Sequence, residues 1–131
     1  MICFVELVDR LPSADEYAAL CAAVGWTTID DSGRAIEGSL AGVCAVDGGD
    51  LVGMGRLVGD GAMYCFAVDV VVAPTFQRRG VGRAIVKRLE NLAAEKSLGT
   101  RLDLVAAGDV RAFYERLGYE RLDSDLMRKS L

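Results

Sequence analysis

The sequence predicts an α+β domain with a mixed, mostly antiparallel sheet, and three observations carry that expectation. Three apolar runs (residues 40–46, 51–58 and 63–72) follow one another through short polar turns, the order of an antiparallel meander. The third run continues through Pro74 and a glycine-rich turn into a long amphipathic stretch, then into a further alternating run at 101–106. That is a strand–helix–strand crossover, so part of the sheet should be parallel. Finally, 131 residues with 52% apolar and 26% charged content suit one soluble globular domain spanning 1–131.

The elements follow in order. Residues 2–7 predict a short strand. Ser13 and Glu16 form a capping box that opens a helix, Tyr17, Leu20, Cys21 and Val24 recur at helical spacing, and Gly25 stops it. On this pattern Tyr17 belongs to the core or a pocket wall. Residues 26–38 are polar and irregular, with room for one short helix starting near Asp30 or Asp31; they form either a solvated connector or a rim carrying Trp26, Asp30 and Asp31. Asp47-Gly48-Gly49-Asp50 joins the first two meander strands as a hairpin turn. The long helix should run from Gly80 or Val81 to about Ser97 and end at Gly99, with Val81, Ala84, Ile85, Arg88, Leu89, Leu92 and Ala93 on one face. Asp109 can N-cap a short helix through Leu117, and residues 119–122 and 125–129 can make a closing hairpin.

Composition narrows the chemistry. A net charge of −4 argues against a nucleic-acid binder. No apolar run reaches the roughly 20 residues of a membrane span, and residues 1–10 carry no basic leader, so a cytoplasmic protein is expected. The four cysteines, Cys3, Cys21, Cys44 and Cys65, form no C-x-x-C pair and sit among apolar neighbours, as buried free thiols do. There is no histidine, which removes His–Cys zinc sites and Ser-His-Asp catalysis; no metal is expected.

Against that acidic background, three arginines (Arg78, Arg79, Arg83) crowd the start of the long helix beside Gly80 and Gly82. A helix N-terminus offers free backbone N–H groups and the positive dipole end, and glycines let a bulky anion approach. Dinucleotide and P-loop motifs do not fit. The first needs Gly or Ala where Ile85 stands, the second Gly-Lys-Ser/Thr where Gly82-Arg83-Ala84 stands. One more residue is conspicuous: Asp69 interrupts the apolar run just before Val70-Val71-Val72. A carboxylate there is costly unless it pairs, for instance with Arg56, or works as an amine anchor or base.

Val72-Ala73-Pro74 followed by Gln77-Arg78-Arg79-Gly80-Val81-Gly82 resembles the acyl-CoA signature of GNAT-type N-acetyltransferases, and the downstream Ala112-Phe113-Tyr114-Glu115-Arg116-Leu117-Gly118-Tyr119 is similar to the family's second motif. The resemblance covers residues 51–131 well. It implies the acyl-CoA N-acyltransferase fold, with helices on both faces of the sheet and a splayed central strand pair. It also implies acetyl transfer from acetyl-CoA to a primary amine by direct attack. Val70, Val71 and Val72 would pair with the pantetheine arm and polarise the acetyl carbonyl. Gln77, Arg78, Arg79, Gly80, Val81, Gly82 and Arg83 would hold the diphosphate. Tyr114 matches the tyrosine that protonates the leaving thiolate, against the plainer reading of a core aromatic beside Phe113. Asp69 is placed like an acidic residue of polyamine-type members, so it joins Tyr114 as a catalytic candidate and Trp26, Asp30 and Asp31 as a candidate acceptor contact. Ala107 and Val110 depart from the Asn and Ala usual in the second motif, so the Asn contact to pantetheine is missing or replaced. A small amine is the expected acceptor. A protein or peptide N-acetyltransferase and a non-catalytic acyl-CoA-binding module are the alternatives, and homodimerisation is common among lookalikes.

Overall fold

The computed structural model describes residues 4–27 and 31–131. Four strands, β1 (Glu6–Val8), β2 (Ala41–Asp47), β3 (Asp50–Gly59) and β4 (Cys65–Val72), form one sheet in sequence order, and every neighbouring pair is antiparallel. The Gly48-Gly49 turn pairs Asp47 with Asp50, as the hairpin signal implied. The parallel part is smaller than the 101–106 pattern suggested, shrinking to one bridge. Ala67 N–H donates to the Asp103 carbonyl (2.9 Å) and Asp103 N–H to the Cys65 carbonyl (3.0 Å). Beyond that point β4 bulges, because Met54 faces Val71 while Arg56 faces Val68, leaving Asp69 and Val70 opposite Gly55. A bulge bends and twists the strand that carries it, so the 101–106 segment cannot follow β4 further.

Helices cover both faces. α3 (Val81–Glu95) lays Val81, Ile85, Leu89 and Leu92 on one face against Val43, Ala45, Val52, Leu57 and Val72. A Cβ at Gly55 would stand 2.8 Å from Leu89 Cδ1, so the bare backbone there lets α3 approach the sheet closely. On the opposite face α1 (Ala14–Ala23) packs Leu20 and Cys21 on Met54 and Val71, with α2 (Ser32–Glu37) beside it. α3 ends earlier than its pattern: the left-handed residue is Ser97 (φ 54°), and Leu98 N–H donates back to the Ala93 carbonyl (2.9 Å), so Gly99 lies outside the cap. α4 (Arg111–Arg116) begins after Val110 rather than at an Asp109 cap, because Val110 N–H closes a turn onto the Ala107 carbonyl (3.0 Å) and takes Asp109 into that turn. The closing hairpin expected over 119–129 does not form. Those residues contain no strand, and Leu122, Leu126 and Met127 stand in solvent. Two short runs joined by Asp123-Ser124 have no neighbouring strand to bury them. Among the described residues no helix is long and apolar enough to cross a membrane.

The α1 capping box is complete. Glu16 N–H donates to Ser13 Oγ (3.1 Å), Ser13 N–H donates to Glu16 Oε1 (2.9 Å), and Arg10 forks onto both Glu16 oxygens (2.9 and 3.1 Å). The Arg10 guanidinium first, then the Ser13 backbone, hold the Glu16 carboxyl down at about 2, from an ordinary 4.5. A carboxyl depressed by folding stabilises above its unfolded pKa and loses that contribution as pH falls through the folded value. Solvent screening around the half-exposed Arg10 holds the gain to about 1 kcal/mol. Thermal melts of Glu16→Gln should therefore lie below the parent above pH 4.5 and converge with it towards pH 2.

Candidate functional site

β4 delivers its last residues to an open edge. Ala73 N–H donates to the Val52 carbonyl (2.8 Å) and Val72 faces Gly53, so strand alternation turns the Val72 main chain away from β3. Its carbonyl accepts from Gln77 Nε2 (2.9 Å). Gln77 thus fastens the connecting loop to the strand end. Val71 and Val72 side chains are buried, one on each face of the sheet, and Val70 is half-buried.

The loop reaches α3 through a 3₁₀ turn (Pro74–Phe76) and two left-handed residues, Arg78 (φ 63°) and Gly80 (φ 82°). Gly80 is the N-cap of a 15-residue helix and offers no side chain to it. The first intrahelical bond runs from Ala84 N–H to the Gly80 carbonyl (3.0 Å), so the N–H groups of Val81, Gly82 and Arg83 precede the ladder. Arg78, Arg79 and Arg83 are exposed and have no acidic partner among the described residues, whereas Arg10, Arg56, Arg88 and Arg111 all do. The Arg79 guanidinium stacks 5.4 Å above the Phe76 ring. This combination concentrates positive potential on uncapped backbone donors, which is what a multiply charged anion needs. A cavity of about 270 Å³ adjoins it, lined by Arg83, Lys87, Glu90 and Arg116 with Val86 and Leu117.

α4 closes over the same helix start. Phe113 Cζ lies 3.6 Å from where a Gly82 Cβ would stand. Tyr114 packs edge-on to Phe113 and Tyr119, with ring centroids 5.0 and 5.7 Å away. Tyr119 Oη donates to Glu90 Oε2 (2.8 Å) and ties the end of α4 to α3. Burial pushes the Tyr114 phenol above its ordinary pKa, so it stays protonated across the neutral range.

Asp69 has the left-handed conformation of the bulge (φ 53°). Its Oδ2 accepts hydrogen bonds from Arg56 Nε (2.9 Å) and Tyr17 Oη (2.9 Å), and Arg56 Nη2 lies 2.7 Å from the same oxygen in an ion pair. The ion pair with Arg56 is therefore formed. Tyr17, which its helical spacing marked only as core or pocket wall, is a hydrogen-bonding member of the same cluster. Only its place on the α1 face that meets β4 could have signalled this. Among the described residues, Trp26 and Asp31 make no side-chain hydrogen bond or ion pair with them. Trp26 is 44% exposed, Asp31 is an exposed N-cap paired with Arg34 (3.5 Å), and Asp30 lies outside the described residues. Cys21, Cys44 and Cys65 are buried free thiols whose pKa values burial pushes up, Cys44 to about 11; Cys3 lies outside the described residues. No cluster of three metal-ligating side chains occurs among the described residues.

An open-edged strand feeding an uncapped, arginine-ringed helix start offers the backbone donors and positive charge that a phosphate-bearing ligand would need. Residues 39–121 match the acetyltransferase (GNAT) domain, and the chain belongs to that family. It is similar to a histone acetyltransferase of Glycine max (31% identical over 115 residues, 78% of this chain and 49% of the relative). It superposes on a GNAT-family acetyltransferase of Streptococcus pneumoniae TIGR4 with TM-score 0.83 (28% identical, 98% of each chain covered). It shares its fold with an aminoglycoside N-acetyltransferase in complex with CoA (TM-score 0.74, 15% identical, 96% of this chain and 95% of the other). The chain spans about a quarter to a half of the length of the first curated relatives it matches.

Proposed function

We propose that this chain transfers an acetyl group from acetyl-CoA to a primary amine of a small molecule, by direct attack with no covalent enzyme intermediate. The observation that carries the reading is the uncapped α3 N-terminus, with three arginines that have no acidic partner among the described residues, placed directly after an open β4 end. The N–H groups of Val81, Gly82 and Arg83 would hold the diphosphate, helped by Arg78, Arg79 and Arg83, and the cavity beside Arg83 would take the nucleotide end. When bound, acetyl-CoA supplies an activated thioester. The main chain of Val70, Val71 and Val72 would align the pantetheine arm and polarise the acetyl carbonyl. Tyr114 would hold the proton that the departing thiolate takes. The buried, protonated thiols support direct attack over transfer through a cysteine.

Asp69 serves this reading best as an ion-pair partner, since Arg56 and Tyr17 already engage it. Trp26, Asp30 and Asp31 would border the acceptor between α1 and α2. The named activity of the soybean relative favours a protein or peptide acceptor as the second reading. A cytoplasmic homodimer belongs to the same proposal, with the exposed Leu122, Leu126 and Met127 as a surface for it.

Thiol release from acetyl-CoA, followed across polyamines, amino sugars, aminoglycosides and lysine peptides, tests the assignment. Turnover of a small amine is expected. Turnover of peptides alone would select the second reading. CoA binding without turnover of any amine would make the chain a binding module.

A further inference from the structure

The cluster around Asp69 joins four elements through one carboxylate. Asp69 sits on β4, Arg56 on β3, Tyr17 on α1, and Arg56 Nη1 donates to the Ala35 carbonyl (3.2 Å) and Ser39 Oγ (2.8 Å) at the end of α2. The ion pair is largely shielded, with side-chain exposures of 11% for Arg56 and 20% for Asp69. Asp69 also holds a left-handed backbone that an L-residue adopts at a cost, and such strain persists only where the surroundings over-determine it. Two donated hydrogen bonds and an ion-pair contact do so here. The guanidinium meets Asp69 Oδ2 with two nitrogens while its third reaches α2; a lysine ammonium has no such planar reach.

The bulge these contacts hold is the step that places Val70 opposite Gly55 and lets β4 part from the 101–106 segment. We propose that Arg56 and Tyr17 are positioning residues that act through Asp69 to set the β4 bulge, so that the packing of α1 and α2 controls how strongly the Val70 main chain polarises the acetyl carbonyl. The inference rests on the acetyltransferase reading above. It gives Asp69 Oδ2 fixed partners from two elements, Arg56 on β3 and Tyr17 on α1. It also makes acceptor-side helices and donor-side strand one mechanical unit. Movement of α1 or α2 on acceptor binding is then felt at the thioester through two side chains.

The test uses acetyl-CoA labelled with ¹³C at the carbonyl, bound to the full chain without any acceptor and read by infrared spectroscopy. In the parent protein the carbonyl stretch should fall below that of free acetyl-CoA. Asp69→Asn and Arg56→Gln should return it most of the way, and Arg56→Lys and Tyr17→Phe part of the way. CoA affinity should stay within about twofold, while kcat drops about tenfold or more, as small displacements of a reacting group do. Tyr17→Phe removes only a hydroxyl and keeps the ring, so it decides the matter if the charge variants fail to fold. A stretch that stays at the parent value in Tyr17→Phe and Arg56→Lys overturns the positioning role and leaves the acetyltransferase reading intact. A parent protein that binds acetyl-CoA without lowering the stretch overturns the carbonyl-polarising role itself.

Discussion

Gly82→Asp should abolish most CoA binding while leaving the protein at least as stable as the parent. Gly82 lies in the first turn of α3 with helical backbone, and a Cβ there meets Phe113 Cζ and Val72 Cγ2 at 3.6 and 3.7 Å, ordinary contact distances. An aspartate therefore fits. Its carboxylate is attracted by the helix dipole and can cap the free N–H groups, a gain of about 0.3–1 kcal/mol, and replacing a helical glycine adds a similar amount. Those same donors are the ones proposed to grip the cofactor's diphosphate. The new charge both occupies them and repels the ligand, so affinity should fall about a hundredfold or more, equivalent to at least about 2.7 kcal/mol. Calorimetric titration with CoA and a thermal melt read the two effects separately. Gly82→Asn, similar in size but uncharged, should lose much less affinity. Unchanged CoA affinity in Gly82→Asp would place the diphosphate elsewhere.

How far the sequence discloses this site depends on how local each feature is. The uncapped helix start is legible because its ingredients, Val72-Ala73-Pro74 and Gly80-Val81-Gly82, are adjacent in the chain and carry their geometry with them. The capping box at Ser13 and Glu16 is legible for the same reason, and so is the hairpin at Gly48-Gly49. The parallel strand at 101–106 is a different case. Its alternation is real, but whether it pairs along its length depends on the bulge at Asp69, which no pattern within 101–106 records. The Asp109 cap fails because the turn from Ala107 to Val110 closes first. The Asp69 cluster lies between these cases. The isolated carboxylate was visible as a cost to be met, and Arg56 as a partner on the neighbouring strand. Tyr17 is 52 residues away and reaches Asp69 only because α1 packs on that face of the sheet. Contacts made by tertiary packing leave at most a helical period in the sequence, and that period is the same for a core residue and a clamp.

Tyr114→Phe should cut kcat about a hundredfold while CoA affinity changes by no more than about twofold. The substitution leaves the ring in its edge-on packing against Phe113 and Tyr119 and removes only the hydroxyl, so the fold has no reason to respond. What would be lost is the proton that Tyr114 is proposed to hold for the departing thiolate, an interaction made only as the thioester breaks. kcat and kcat/KM for acetyl-CoA should then fall together, which is how a group acting only in the transition state behaves. The pH dependence gives an independent signature. Burial raises the Tyr114 pKa above the ordinary phenol value of about 10, and the group donates only while protonated. The parent rate should therefore stay level through neutrality with respect to this group and decline only on the far alkaline side. The Phe variant should be slow throughout and lack that decline. An aromatic that merely fills space predicts the opposite on both counts: a rate close to the parent's and an alkaline limb that survives the substitution. Both profiles should be measured with whichever amine the acceptor screen finds to be turned over fastest, so that deprotonation of the same nucleophile cancels between them.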